Sequence, residues 1–328
     1  MPTSTGSNVL LLKKLMSSRP LIVVVGADGF VGGHLAAALD ARKIVYRTAA
    51  DDEVHVTHAG SLLEKADVII NAAGFRIRPG FTAEDYRRSH QGATAKLVPF
   101  VRRGTLFLHI SSASVLGKSK TKKLGNHTET DLTHFPAPDY ALAKLEADEF
   151  LKAVAAEREF RLVLLRPSNL YAPGAEGMLL SLMRLAKSGV MLRLYPRSSR
   201  QHFCDVNLLA EVARRVIENG GLPQATALVV ADPYTVTNRE LEELIRRHLR
   251  RSVVTVPLPV SWMSSVFRHS IRSKNPKFDL VTQGEILGFM NLDSVYDPFE
   301  TFSLLGIDPG HYSQESTLEP VIREGLKS

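Results

Sequence analysis

Residues 21–33 read LIVVVGADGFVGG, and this stretch decides the fold. Its first five residues are apolar and β-branched in the middle, which is typical of a strand buried on both faces. Glycines follow at 26, 29 and 32, and residues 34–39 (HLAAAL) read as a helix. Glycine permits a tight turn and a close backbone approach, and a helix N-terminus offers free N–H groups to a pyrophosphate. The stretch therefore predicts that Gly26, Gly29 and Gly32 bind a dinucleotide.

The rest of the first half alternates apolar, strand-like runs with segments of helix length, as in a parallel sheet built from βαβ units. The predicted strands span residues 44–46, 66–70, 105–110 and 161–165, and the predicted helices span 82–103 and 139–157. Later segments read as helices at 178–187, 208–219 and 238–249 and as a strand at 227–230.

This alternation predicts an α/β protein with a Rossmann-type doubly wound parallel sheet and a smaller C-terminal substrate-binding portion. Its predicted parts are a leader (1–19), a Rossmann domain (20–175, with core strands also drawn from later segments) and a mainly substrate-binding portion (176–328).

The bulk composition argues against several other classes of protein. The 328 residues are 44% hydrophobic, and no apolar run approaches the roughly 18–20 residues of a membrane span. A single cysteine, Cys204, excludes an intramolecular disulfide framework and suits a reducing compartment, so we expect a cytoplasmic protein. The net charge of +7 comes from Lys and Arg residues spread along the chain, without an RNA-binding motif or zinc-finger spacing. We therefore predict neither a nucleic-acid partner nor a metal site.

The residues after the second predicted strand bear on the choice of cofactor. An acidic side chain there binds the ribose hydroxyls of NAD, whereas an arginine accommodates the 2′-phosphate of NADP. Arg47 and Thr48 come first, and the acids Asp51, Asp52 and Glu53 follow several residues later. This order favours NADP over NAD, with a solvated loop arginine as the alternative interpretation of Arg47.

A Tyr–Lys pair and a serine-rich turn predict proton chemistry. Tyr140 and Lys144 are four residues apart and share one face of a predicted helix. A nearby cation stabilises the phenolate and lowers a pKa that is otherwise near ~10, so the phenol can exchange a proton with a carbonyl or an alcohol. Residues 110–117 (ISSASVLG) run from a strand into a turn, and a serine there can donate a hydrogen bond to a substrate oxygen. Turn formation alone is the alternative for these serines.

Together these stretches resemble the extended short-chain dehydrogenases/reductases, also called the NAD-dependent epimerase/dehydratase family. The resemblance rests on GADGFVG at 26–32, NAAG at 71–74, SSASVLG at 111–117, YALAK at 140–144 and LRPSNLYAPG at 165–174. Fainter similarity continues to the end of the chain. The combination is specific for the family and much less specific for any one reaction.

The resemblance implies a role for each residue of these motifs. Tyr140 would be the general acid/base, Lys144 would lower its pKa and hold the nicotinamide ribose, and Ser112 would donate to the substrate oxygen. Besides these and the three glycines, the cofactor would meet Phe30, Val31, Arg47, Asn71, Ala72, Ala73, Gly74 and Pro167. The substrate would meet Ser112, Ser114, Asn169, Arg193 and Arg200. Many relatives form homodimers through a four-helix bundle, for which the helices at 82–103 and 139–157 would serve here.

Several departures from the family pattern narrow the reaction. The serine-rich turn has Leu116 where members usually have tyrosine, and Ser89 replaces an asparagine that helps hold a proton-relay water. Gln201 stands where an arginine often meets a diphosphate, and Ala113-Ser114 replaces an acidic pair of the dehydratases. The leading interpretation is a reductase or epimerase of a sugar-like substrate, most often nucleotide-linked. The alternatives are a hydroxysteroid- or flavonoid-type ketone reductase and a non-catalytic dinucleotide-binding protein.

Overall fold

A computed structural model describes residues 20–44, 56–77, 81–117, 123–132, 138–175, 177–195, 199–249, 251–259 and 293–327. Within these ranges no helix is long and apolar enough to cross a membrane. The predicted leader (1–19) and Arg47 lie outside the described residues.

Strands and helices alternate along most of the described chain. The strands are β1 (Ile22–Val25), β2 (Arg42–Ile44), β3 (Val68–Asn71), β4 (Leu106–Ile110), β5 (Arg161–Pro167), β6 (Asn169–Tyr171), β7 (Val190–Tyr195), β8 (Arg200–Asp205), β9 (Thr226–Val230), β10 (Thr235–Thr237) and β11 (Val254–Pro259). The helices are α1 (Phe30–Ala38), α2 (Val56–Leu63), α3 (Ala83–Arg87), α4 (Ala93–Leu97), α5 (Pro138–Arg158), α6 (Met178–Lys187), α7 (Val206–Glu218), α8 (Asn238–His248), α9 (Phe299–Leu305) and α10 (Leu318–Lys327). A π-helical turn (Arg88–Gly92) joins α3 to α4, and 3-10 turns follow at Val98–Phe100, Ala113–Leu116 and Pro309–His311.

The central sheet consists of parallel strands in the order β2-β1-β3-β4-β5-β9. Its inner strands are apolar because helices cover both faces. One face, with Val24 and Ile70, packs on α1 and α7, and the other, with Ile69 and Phe107, packs on α4 and α5. This arrangement confirms the predicted doubly wound α/β fold. Both α7 and β9 come from beyond residue 175.

Two predicted boundaries near the glycine-rich turn are wrong. The first helix begins at Phe30 rather than His34, because Gly32 and Gly33 lie inside the helix and let it pack closely against the turn. The second strand spans Arg42–Ile44, where it pairs with β1, and starts two residues earlier than predicted. The predicted strand residues 45–46 lie outside the described ranges.

The later strands form two smaller sheets. In one, β8 pairs in parallel with β6 and antiparallel with β10, and in the other β7 pairs in parallel with β11. Buried Asp232, just after β9, ties the first of these sheets to the central one. Its carboxylate accepts hydrogen bonds from the Asp205 backbone N–H at 2.9 Å and the Tyr171 hydroxyl at 2.8 Å. On β8, Cys204 is completely buried, and burial raises the pKa of its thiol.

Candidate active site

The turn between β1 and α1 packs against the loop that follows β3. Gly26 has φ of +80°, and a Cβ there would lie 2.8 Å from the backbone nitrogen of Ala73. A Cβ on Gly32 would collide with the Gly26 carbonyl oxygen. Both positions therefore require glycine. Because the first N–H groups of α1 have no partners within the helix, the turn fits the pyrophosphate of a dinucleotide.

A cavity of about 320 Å³ lies at the carboxyl ends of the central strands. Of the predicted site residues, it is lined by Phe30, Val31, Ala72, Gly74, Ser112, Ser114, Tyr140, Lys144, Pro167 and Asn169. Ligands of open α/β sheets bind at this edge. The fold therefore brings residues from widely separated motifs to one place.

Tyr140 lies near the start of α5, with its ring half-buried between two other rings. Its edge-to-face partners are Tyr86 of α3, at a centroid distance of 5.7 Å, and His90 of the π-helical turn, at 5.5 Å. Such contacts favour one orientation of the ring. The phenol is thus positioned at the cavity wall by neighbours on the opposite helix.

Lys144 lies one helical turn after Tyr140 and is only 6% exposed. Its Nζ donates a hydrogen bond to the Ile110 carbonyl oxygen at 2.9 Å. Burial lowers the pKa of Lys144 to about 8, and the carboxylate of Asp148 acts in the opposite direction. At neutral pH the ammonium is therefore still charged, as phenolate stabilisation requires.

Ser112 lies two residues after β4, directly before the 3-10 turn Ala113–Leu116. Its half-buried Oγ accepts a hydrogen bond from the Ser114 backbone N–H at 3.2 Å, which caps the 3-10 turn. Because Ser112 also lines the cavity, its hydroxyl hydrogen can be offered to a ligand while the oxygen caps the turn. Turn formation and substrate contact are thus compatible at this residue.

Asn71 and Ala73 lie behind the cavity wall rather than on it. The Asn71 side chain donates to Thr94 Oγ1 at 3.1 Å and accepts from the Ala73 backbone N–H at 3.1 Å. These bonds shape the loop that brings Gly74 to the cavity, where a Cβ would collide with the His90 ring. A contact of Asn71 or Ala73 with a cofactor stays a prediction.

The structure does not bring the two predicted substrate arginines to the cavity. Arg193 on β7 donates to both carboxylate oxygens of Glu242, at 2.8 and 2.6 Å. Arg200 is exposed at the start of β8, and its backbone N–H donates to Asp293. Gln201 is buried and donates to Ser199. Strands β7 and β8, as described, therefore contribute no arginine to the cavity lining.

Two further departures from the family pattern are buried in packing contacts. Ser89 donates a hydrogen bond to the Tyr86 carbonyl oxygen at 3.0 Å and does not line the cavity. Leu116 is 1% exposed and packs in an apolar cluster with Ala113 and Tyr296. Both residues therefore support neighbouring wall residues rather than contact a ligand.

The cavity also has a wall that the sequence patterns did not predict. It consists of Phe75, Arg76, Ile77, Leu170, Leu179, Phe203 and Tyr296, together with smaller residues. Residues 75–77 directly follow the NAAG motif, so their position in the sequence could have predicted that they line the cavity. Tyr296 lies far from every motif, and only the tertiary fold brings it to the site.

Comparison with known proteins identifies the family. Residues 22–231 match the NAD dependent epimerase/dehydratase family. A UDP-glucose 4-epimerase from Vibrio cholerae is 25% identical over 270 residues, which cover 75% of this chain and 80% of the relative.

Solved structures of lower identity share the fold over nearly the whole chain. UDP-glucuronic acid 4-epimerase from Bacillus cereus, in complex with UDP-glucuronic acid and NAD, is 15% identical with a TM-score of 0.71, over 93% of this chain and 99% of that chain. RMD from Pseudomonas aeruginosa, complexed with NADPH, is 17% identical with a TM-score of 0.67, over 94% of this chain and 99% of that chain. These matches confirm the resemblance drawn from the motifs. The chain belongs to the NAD dependent epimerase/dehydratase family of enzymes.

Proposed function

We propose that this protein is an NAD(P)-dependent oxidoreductase or epimerase that acts on a sugar-like, nucleotide-linked substrate. The observation that carries the proposal is the convergence of Ser112, Tyr140 and Lys144 on one cavity beside the glycine-rich turn. The relatives support the substrate class, because the Vibrio cholerae relative is a UDP-glucose 4-epimerase and the Bacillus cereus enzyme is a UDP-glucuronic acid 4-epimerase.

The dinucleotide would lie along the glycine-rich turn, with its nicotinamide end in the cavity. Gly26, Gly29 and Gly32 would face the pyrophosphate, and Phe30, Val31, Ala72, Gly74 and Pro167 would line the remainder of the site. When bound, the nicotinamide ring takes up or returns a hydride.

The chain's own residues manage the proton that accompanies the hydride. Tyr140 takes a proton from the substrate hydroxyl, or gives one to the substrate oxygen in the reverse direction. Lys144 stabilises the phenolate that results. Ser112 donates a hydrogen bond to the same substrate oxygen, which favours the developing negative charge.

A Tyr140→Phe variant tests this assignment. Removing the phenol hydroxyl leaves the ring contacts in place, so we expect a fall in kcat of roughly 10²–10⁴-fold without loss of folding. Turnover is measured on a panel of UDP-sugars with NAD, NADP and their reduced forms, and folding by circular dichroism. Tyr312→Phe, which removes a hydroxyl away from the cavity, is the matched control. Equal turnover by Tyr140→Phe and wild type would contradict the role of the phenol.

The order of residues after β2 further predicts a preference for NADP that depends on Arg47. Titration calorimetry of the wild type and of Arg47→Ala with NADP and NAD measures this preference. We expect Arg47→Ala to weaken NADP binding and to leave NAD binding unchanged, because only NADP carries the 2′-phosphate. If NAD binds more tightly and the variant changes neither affinity, NAD is the cofactor and Arg47 is a surface residue.

A second candidate function is reduction of an apolar ketone, as in the hydroxysteroid- or flavonoid-type members. The observation that favours it is the wall formed by Phe75, Ile77 and Phe203, together with the pairing of Arg193 to Glu242. Apolar walls suit an apolar ring, whereas a diphosphate needs cationic partners, and among the described residues that line the cavity the cationic ones are Arg76 and the buried Lys144. Turnover of steroid or flavonoid ketones with NADPH, without turnover of any UDP-sugar, would favour this candidate. Cofactor binding without turnover of either class would support the non-catalytic alternative.

A further inference from the structure

One wall of the cavity belongs to the small sheet of β6 and β8 rather than to the central sheet. Asn169 and Leu170 of β6 and Phe203 of β8 line the cavity, and the two strands pair with Asn169 beside Phe203. We call these three residues the β6–β8 wall. Tyr140 and Lys144 lie on α5, which packs on the central sheet. The position of a substrate on the wall relative to these two side chains therefore depends on how the two sheets are joined.

Asp232, two residues after β9, joins the two sheets. Its backbone N–H donates to the Phe203 carbonyl oxygen at 2.8 Å, and its Oδ1 accepts from the Asp205 backbone N–H at 2.9 Å. Its Oδ2 accepts from the Tyr171 hydroxyl of β6 at 2.8 Å, and the Tyr171 ring packs edge-to-face on Phe203 at a centroid distance of 6.1 Å. Asp232 thus contacts both strands of the wall, at or next to the wall residues themselves. We call this set of contacts the Asp232 junction.

The carboxyl of Asp232 is completely buried, and the described residues give it hydrogen-bond donors but no cation. Burial raises the pKa of Asp232 to about 7, and the nearby Asp205 carboxyl also raises it, whereas the hydrogen bonds from the Asp205 N–H and the Tyr171 hydroxyl lower it. The carboxyl therefore exchanges its proton near neutral pH, where an exposed aspartate is fully charged.

The other titratable groups around this carboxyl behave differently. Burial raises the pKa of each thiol and phenol that faces it, and these groups are Cys204, Tyr171, Tyr234 and Tyr312. All of them stay uncharged at neutral pH. The acid that faces Asp232 among the described residues is Asp205. Burial raises the pKa of Asp205, and hydrogen bonds from Asn207 and the charge of His34 lower it.

The hydrogen bonds of the Asp232 junction can form in both protonation states. The charged carboxylate accepts from the Tyr171 hydroxyl. The protonated carboxyl can donate to the Tyr171 oxygen instead, because Tyr171 can then donate to the Tyr234 hydroxyl at 3.3 Å. Tyr234 lies 2.8 Å from Thr317 Oγ1, which donates to the Ser313 carbonyl oxygen at 2.7 Å. The two states therefore differ in the charge that the junction keeps away from water, and not in the number of bonds.

We propose that Asp232 is a positioning residue for the β6–β8 wall, which it holds firmly in its protonated form and releases more readily in its charged form. Water solvates a carboxylate much better than a carboxylic acid, so loss of the proton favours opening of the junction. The folded pKa lies above the ordinary value of 3.8, so the junction is most stable at low pH and becomes less stable as the pH rises to about 7. Each pH unit in this range makes opening roughly tenfold more frequent, and no further change follows above it.

Hydrogen exchange tests the Asp232 junction in the full chain without substrate. We expect the protection of peptides covering residues 203–205, corrected for the intrinsic exchange rate, to fall roughly tenfold per pH unit between about pH 5 and 7. In Asp232→Asn, whose amide imitates the protonated carboxyl, the protection should stay constant. The matched control is Asp308→Asn, which changes an exposed acid and should behave as the wild type.

Two results of this experiment overturn the proposal. One is constant protection in the wild type over this pH range, which needs no variant to be observed. The other is a pH dependence in a folded Asp232→Asn protein that equals that of the wild type, because the titrating group would then be another one, such as Asp205.

The effect on the substrate rests on the proposed function and is measured separately, with UDP-glucose as the probe. We expect the wild-type KM to rise between about pH 5 and 7, and the KM of Asp232→Asn to stay at the low-pH value. Asp232 does not line the cavity, so kcat and the dinucleotide affinity should be the same in both proteins. A KM that does not follow the exchange data overturns the positioning role. If the wild type turns over no UDP-sugar, the proposed function fails, and hydrogen exchange still decides whether Asp232 holds the wall.

Discussion

At the scale of the residue, we expect the burial of Lys144 to limit the pH range of the proposed reaction in the direction of reduction. With a folded-state pKa of about 8 instead of 10.5, Lys144 loses its charge as the pH rises through 8. Because the proposed proton donation by Tyr140 needs this cation, we expect the reduction rate to decline over the same range, as a pH profile of kcat would show. The unfolded chain binds this proton more tightly, so the contribution of Lys144 makes the free energy of unfolding rise between pH 8 and 10.5.

Asp148 provides the control for this profile. Its carboxylate raises the pKa of Lys144, so Asp148→Asn should move the decline to lower pH, whereas Asp148→Glu should keep it in place. Asp148→Asn also leaves Arg166 without its buried partner, at a cost of about 3–5 kcal/mol, so the free energy of unfolding is measured alongside. An unchanged midpoint in a folded Asp148→Asn protein would rule out Lys144 as the titrating group.

At the scale of the element, the glycine-rich turn joins β1, α1 and the loop after β3, with no room for a side chain at Gly26 or Gly32. In Gly32→Ala the new Cβ would collide with the Gly26 carbonyl, so the turn must open. We expect dinucleotide affinity to fall at least tenfold and the Tm to decrease, as measured by calorimetry. The matched control is Gly125→Ala, whose Cβ would make an ordinary 3.7 Å contact. Wild-type affinity in Gly32→Ala would show that the dinucleotide does not use this turn.

The sequence predicted those elements whose pattern is contained within a few neighbouring residues. The apolar run of β1, the glycines after it and the Tyr140–Lys144 spacing are all readable within a few residues. The π-helical turn is not, because it depends on the packing of His90 against Gly74 and Tyr140. Arg193 pairs with Glu242, which is 49 residues away in the sequence. The sequence around Arg193 does not show this partner, so the arginine was wrongly predicted to bind an anionic ligand.

At the scale of the whole molecule, the outer faces of α3, α4 and α5 are the surfaces on which a homodimer is predicted. Leu142 on α5 is 42% exposed and lies on one of these helices, so it is a suitable probe of the predicted interface. We therefore expect a dimer in light scattering and a monomer for Leu142→Glu. Leu304→Glu on α9, at 45% exposure, is the matched control and should leave the mass unchanged. A monomeric wild type would contradict the prediction.

The position of Cys204 offers a way to find ligands without knowing the reaction. It is the single cysteine of the chain, it is fully buried, and its neighbour Phe203 lines the cavity. A thiol reagent can reach Cys204 only when β8 opens, and a compound that occupies the cavity makes such openings rarer. The rate of thiol labelling therefore reports whether the cavity is occupied. A metabolite that slows the labelling is identified as a ligand before any product has been detected.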